Sequence, residues 1–343
     1  MTEKSYIPFQ LLRLPKKALH RAIKHINDID LINLSFTCEA AKSLVTLLIQ
    51  TTNSTHLIHL DMREGKIFMS VNMDNDVLLV FCYKDNKPIP NGMFSKGLIK
   101  LKDLKTLNIH DTVLLLISNQ AITECVGHIQ TVLNKRKVEE FYITDNITCS
   151  ESIFVALNSI KFARICVRPG NNSSFRLFYR DALRKLRFQT DWIEMCCDSS
   201  VEFREVLIQN LCLFSAELPF KIKLNELLAI QSSEIFIEWP ISSADLNIFL
   251  KHWICGFNKR VKCCWIQLEN IEVMNEQELL TTLLKNIKHT RSPQNRVINF
   301  SLHSFPEILV QGGIDIQNED GRTATIYFDI PNVFKMCVWN CSL

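Results

Sequence analysis

Apolar positions in the first fifty residues recur at helical spacing. Leu19, Ala22, Ile23 and Ile26 fall at i, i+3, i+4 and i+7, one face of a helix. Pro15 stands in the first turn, where its missing N–H is an orphan donor in any case. Asp30 is expected to cap a second short helix carrying Leu31, Ile32 and Leu34. A third is expected from about Cys38 through Ala41, Leu44, Val45 and Leu48. About 40 residues bury too little surface to be stable alone. The polar positions between are mostly charged, so the apolar residues form a stripe, and the pattern predicts a docking element that finishes its core against something else.

The period then changes from that of a helix to that of a strand. His56 to Met62, Lys66 to Met73 and Val77 to Tyr83 alternate, separated by the turn compositions Glu64-Gly65 and Asp74-Asn75-Asp76, so an antiparallel meander is expected. Lys87-Pro88-Ile89-Pro90-Asn91-Gly92 breaks the pattern as a linker or long turn. From about residue 111, short apolar strands alternate with amphipathic helices. The strands are expected at Val113–Ser118, Val138–Thr144, Lys161–Val167, Glu202–Ile208, Glu234–Trp239, Val261–Leu268 and Arg296–Leu302. Ile122, Val126, Ile129 and Leu133 share one helical face; Ser242 with Asp245 starts a helix ended by Gly256, and Asn275 with Glu278 starts another.

A strand-helix unit recurring at roughly 24 to 41 residues predicts parallel α/β stacking, as a leucine-rich-repeat-like arc or a doubly wound sheet. Val138, Phe141, Ile143 and Asn146 fit the leucine-rich strand spacing and the other strands fit it in part, which favours the irregular arc. Near the end, Gly312–Ile316 and Thr323–Phe328 flank Asp320-Gly321, a hairpin, and a last strand is expected over Phe334–Trp339. The fold class is therefore α/β, α+β overall. A three-helix start (1–50) precedes an antiparallel meander and linker (51–95) and an α/β region with a C-terminal hairpin (96–343).

Leu14-Pro15, Ala18-Leu19, Ala22-Ile23, Ile26, Asp30-Leu31-Ile32, Leu34, Cys38 and Leu44 stand without a gap in a register that resembles the F-box. Lys17 stands where that family usually has an acid, Thr37 where it often has valine, and Ala41 where it often has tryptophan. The missing tryptophan implies weaker anchoring by the third helix. Leu224–Ser233, Asp245–Gly256, and Gly312–Ile316 with Asp320–Ile326 are similar to the F-box associated domain type 2, which follows the F-box in a family greatly expanded in nematodes. These resemblances imply docking on a Skp-type adaptor and, through it, a cullin scaffold. The implied adaptor-binding residues are Leu14, Pro15, Leu19, Ile23, Ile26, Leu31, Ile32, Leu34, Cys38, Leu44 and Val45.

A net charge of +3 gives no large field, so neither nucleic acid nor anionic membrane is implied. The apolar run from Val113 toward Ile122 is broken by Ser118-Asn119-Gln120, far short of a spanning helix, and the first residues carry no apolar signal core. Thirteen cysteines without a C-x-x-C spacing offer no local zinc framework, and most lie in apolar runs where cysteine acts as a small core residue. That usage suits the reducing cytoplasm or nucleus.

Catalysis has little to rest on. The sequence has no P-loop, G-x-S-x-G or H-E-x-x-H, and nine glycines leave few places for a phosphate to approach the backbone. No catalytic residue, metal or cofactor is expected. Arg176, Arg180, Arg184, Lys185 and Arg187 mix with aromatic residues, but an apolar face opposite them reads as a solvated helix, open to an acidic protein partner. Trp239, Trp253 and Trp265 are expected between sheet and helices; Trp239, at a strand end, is also a candidate anchor for a target, together with Arg180 and Arg184. The expectation is a non-catalytic, substrate-recognising subunit of a cullin-based (SCF-type) ubiquitin ligase, acting in protein degradation on an unidentified target protein. The alternatives are an F-box interaction protein without ligase activity and a ligand-binding α/β domain.

Overall fold

In the computed structural model, the described residues are 13–23, 25–26, 28–51, 56–63, 66–73, 76–84, 99–100, 113–117, 119–144, 155, 157–168, 190–197, 204–269, 276–293, 297–300, 308–328, 330 and 332–339. The expected linker at 87–92, the arginine-rich segment 176–187 with Arg180 and Arg184, and Asn146 lie outside them. The chain divides into two compact units, residues 1–139 with 149–161, and residues 140–148 with 162–343.

The first unit begins with helices α1 (Lys16–Ile23), α2 (Asp28–Ser35) and α3 (Glu39–Thr51). The carbonyl of Pro15 accepts from Leu19 N–H at 2.9 Å and that of Cys38 from Lys42 N–H at 3.0 Å, so each residue flanks the first turn of its helix. Asp30 is the third residue of α2 rather than its cap. It brings a carboxylate to the positive end of the helix dipole. Strands β1 (His56–Arg63), β2 (Lys66–Met73) and β3 (Asp76–Lys84) form the expected antiparallel meander. Their alternation buries Ile58, Leu60 and Met62 with Ile67, Met69 and Val71. β4 (Ile99–Lys100) and β5 (Val113–Ile117) extend it, β5 lying parallel to β3. β5 therefore belongs to the meander's far edge and not to the parallel series in which the sequence placed it. Helix α4 (Asn119–Val132) buries Val126, Ile129 and Val132 and packs on α2 and α3.

The second unit holds residues 140–143 of β6 (Val138–Ile143), then β7 (Phe162–Val167), β8 (Thr190–Met195), α5 (Arg204–Leu207), β9 (Leu213–Ala216), α6 (Leu224–Ala229) and β10 (Glu234–Ile241). After these come α7 (Ser243–Ile254), β11 (Cys263–Leu268), α8 (Glu276–Leu283), β12 (His289–Arg291), β13 (Val297–Phe300), β14 (Ile308–Gln311), β15 (Ile314–Gln317), β16 (Thr323–Tyr327) and β17 (Val333–Trp339). From β7 to β11 each strand lies parallel beside its successor. β17 then pairs antiparallel with β11, and β16, β15 and β12 follow outward.

Local chemistry places these elements. The Ser242 hydroxyl accepts the Asp245 N–H at 3.1 Å, capping α7, and Gly256 at φ +81° ends it, as the sequence pattern predicts. Asn247 donates to the carbonyls of Leu283 and Lys285 at 2.8 and 3.0 Å, tying α7 to the end of α8. The β15–β16 hairpin turns through Gly321 at φ +82°.

Two expectations fail here, and two strands were not anticipated. Within the expected strand Glu202–Ile208, residues 204–207 form α5 instead; the neighbours Val206 and Leu207 are both buried while Ile208 is exposed, a pattern alternation cannot give. β8 and β9 escaped notice because their outward positions Thr190, Trp192, Glu194 and Ser215 break the apolar run. β13 forms a separate two-stranded ladder with β14 and takes no part in the parallel series. Among the described residues no helix is long and apolar enough to cross a membrane.

Candidate functional site

Helices α1–α3 divide their apolar side chains between an interior and an outer face. Ile23, Leu31, Ile32 and Val45, expected on the adaptor surface, are buried within the first unit together with Ala41, Leu48 and Ile49. Those four therefore face inward in this chain, and α4 packs on α2 and α3, the helices that carry Leu31, Ile32 and Val45. Ser35 gives its hydroxyl proton to the Ile32 carbonyl at 2.6 Å and lies 2.8 Å from Nε2 of His128 on α4, which assigns Nε2 as the donor of that second bond. The imidazole also stacks on Phe36 at 4.0 Å. Burial, with Lys42 adding to it and Glu39 opposing, pulls the His128 pKa down to about 4, so the ring is neutral at physiological pH. Ala41 faces this interior, so its small side chain takes nothing from the outer face.

What stays outside is also apolar. Leu14, Leu19, Ile26, Leu34 and Leu44 are half-buried, Pro15 and Cys38 are exposed, and Leu47, not anticipated from the sequence, is 59% exposed one turn beyond Leu44.

A second surface lies on the sheet of the second unit. Strand pairing aligns Arg164, Trp192, Leu213 and Glu234 in one row, and Glu194, Ser215, Phe236, Trp265 and Lys335 in the next. Side chains alternate along a strand, so these rows share one face. The intervening positions Ile193, Phe214, Ile235, Ile266 and Phe334 are buried on the other. The polar face holds a pocket of about 500 Å3 lined by Arg164, Trp192, Phe236 and Trp265, with Glu194, Glu217 and Glu238.

Its electrostatics are those of paired groups. The Glu194 carboxylate is 1% exposed; it accepts from Arg164 and, at 3.5 Å, from Arg168. Arg164 also bonds Glu140 at 3.1 Å and lies 4.0 Å from the centre of the Trp192 ring. Burial opposes the Arg164 charge, yet the hydrogen bond to Glu194 and the surrounding carboxylates outweigh it and raise its pKa. Burial, then the hydrogen bond to Glu217 and the field of Glu194, pushes the Cys196 thiol up, so it stays protonated and donates to Glu217 at 3.1 Å. Lys335, 3% exposed, sits 4.2 Å from the centre of the Trp265 ring, which packs edge-on to Phe236 at 5.0 Å.

Glu194, Cys196 and Glu217 have ligand atoms within 4.8 Å of one another. A metal ion would have to displace the thiol proton and compete with two guanidinium groups, so the chemistry present is ion pairing and aromatic stacking. Trp265, expected between sheet and helices, is on this polar face; Trp253 is buried in α7 as expected. Trp239 lies inside β10 rather than at its end, half-buried with Lys221 4.9 Å from its ring centre and away from the pocket lining. Sequence reasoning missed Arg164, Trp192 and Glu194 because their adjacency depends on strands 28 residues apart in register. The only signal was Thr190, Trp192 and Glu194 alternating with Asp191, Ile193 and Met195.

The F-box domain family model matches residues 11–51. The F-box associated family model matches residues 202–266, a span that includes β9, β10 and most of β11. The similar stretches at 312–316 and 320–326 lie beyond that match. No curated protein and no solved structure gives a match. The chain thus carries an F-box domain followed by an F-box associated domain of type 2.

Proposed function

We propose that the protein is a substrate receptor of a cullin-based ubiquitin ligase. The F-box holds a Skp-type adaptor, and the second unit holds a target. The observation that carries this reading is the order of the two matched domains, an F-box at 11–51 ahead of an F-box associated domain at 202–266. On this reading the adaptor covers Leu14, Pro15, Leu19, Ile26, Leu34, Cys38, Leu44 and Leu47, while Ile23, Leu31, Ile32 and Val45 hold the helices in the shape it needs. The chain performs no transfer chemistry. It raises the effective concentration of a target lysine near a charged conjugating enzyme. The run β7–β11 is read as an irregular leucine-rich-repeat-like arc, supported by its sequence-ordered parallel neighbours. Its setting is read as cytoplasm or nucleus, supported by buried cysteines such as Cys125, Cys166 and Cys264 packed as apolar residues.

The test is co-purification of the adaptor with the full chain carrying Leu44→Asp or, separately, Leu47→Asp. Fully burying one leucine side chain contributes about 1.5–3 kcal/mol, and about 1.4 kcal/mol is tenfold in affinity. Recovery of adaptor is expected to drop at least tenfold with an unchanged thermal midpoint. Undiminished recovery with both variants folded removes the assignment.

A further inference from the structure

The pocket on the sheet face of the second unit indicates which target segment it takes, if that unit receives the target as proposed above. One cation and three carboxylates line it. Arg164 is spent on Glu140 and Glu194. Glu217 receives only the Cys196 thiol, and Glu238 only the Leu218 N–H at 3.3 Å; no cation pairs with either among the described residues. Beside these two acids stand the rings of Trp192, Phe236 and Trp265. Trp265 already carries one cation, Lys335, against its face, and Trp192 carries Arg164. Aromatic rings next to unpaired carboxylates favour a cation, the rings by their quadrupole and the acids by charge.

A volume of about 500 Å3 suits one long side chain with its flanking peptide groups, and lies within the range of ordinary ligand pockets. We infer that this pocket binds an arginine or lysine side chain presented by an extended segment of a target protein. The acids Glu217 and Glu238 hold the charge, and the rings of Phe236 and Trp265 hold the stem.

The probe is a fluorescein-labelled peptide, acetylated Gly-Gly-Arg-Gly-Gly, titrated into the full chain and followed by anisotropy. Companion titrations use the same peptide with Glu in place of Arg, and free arginine as competitor. The Arg peptide is expected to bind saturably, the Glu peptide to fail, and free arginine to compete at least tenfold more weakly than unlabelled Arg peptide. Glu217→Gln with Glu238→Gln is expected to weaken binding at least tenfold, while Glu269→Gln, an exposed acid outside the pocket, leaves it unchanged. Circular dichroism melts establish that both variants fold. Equal binding of the Arg and Glu peptides, no binding of either, an unaffected double variant, or free arginine as effective as the peptide overturns the inference. Adaptor recovery by the F-box is measured separately, so failure here leaves that result standing.

Discussion

Around the F-box helices, apolar side chains are split between an interior shared with α4 and an outer face of leucines, whereas the sheet of the second unit seals one face completely and assembles charge and aromatic rings on the other. The two regions are built for different kinds of recognition. An incomplete apolar face gives affinity in proportion to area covered and little discrimination. A pocket of held charges gives little net energy per pair but selects sharply, because a wrong ligand leaves buried groups unpaired.

That contrast predicts how each region breaks. The largest effect is expected from Leu31→Asp. Leu31 is 6% exposed, so the change places a carboxylate in the first unit's interior, at a cost above about 4 kcal/mol. Thermal unfolding and adaptor recovery are both expected to collapse, where Leu44→Asp loses only the adaptor. An unaltered melt for Leu31→Asp would mean the interior and outer sets are wrongly divided. Next, Arg164→Ala strands the Glu194 carboxylate with only the longer Arg168 contact and is expected to cost about 3 kcal/mol, the low end for a broken buried pair since Arg164 is partly solvated. Replacing both Arg164 and Glu194 by Met is expected to recover most of it, as read from urea midpoints.

Asn247→Ala removes two bonds that join α7 to the end of α8, and none of these residues lines the pocket. A loss of about 2 kcal/mol in a urea melt is expected, with no change in peptide or adaptor binding. The smallest effect is the pH dependence of the first unit. His128 titrates near 6.5 when unfolded and near 4 when folded, so below pH 6.5 the unfolded chain binds the extra proton. Stability is complete above about pH 6.5 and falls as pH drops toward 4, by roughly 1 kcal/mol after discounting for partial solvation. His128→Gln is expected to flatten that slope in melts taken across this window.

Helical spacing made the F-box readable, since Leu19, Ile23, Leu31 and Leu44 stand in a local register. The same spacing could not tell inside from outside. Ile23 and Leu19 lie one turn apart, yet Ile23 is buried and Leu19 is only half-buried, a difference that spacing alone does not carry. The hairpin at Asp320-Gly321 and the cap at Ser242 were legible because turn and cap chemistry is local. The pocket was not, since Arg164, Glu194 and Glu238 lie on different strands, Glu217 directly follows another, and they meet only through parallel pairing. Polar residues that break an apolar run hid β8 and β9 for the same reason that they build the pocket.

Strand β17 is the latest described segment to be synthesised, yet it is interior to its sheet, bonded to β11 on one side and β16 on the other. Until residues 333–339 leave the ribosome, Cys263–Leu268 presents an open edge to any passing strand. A premature stop before Val333 would therefore leave two raw edges and invite aggregation rather than mild loss of function, and this half of the chain must complete its folding after most of it has been made.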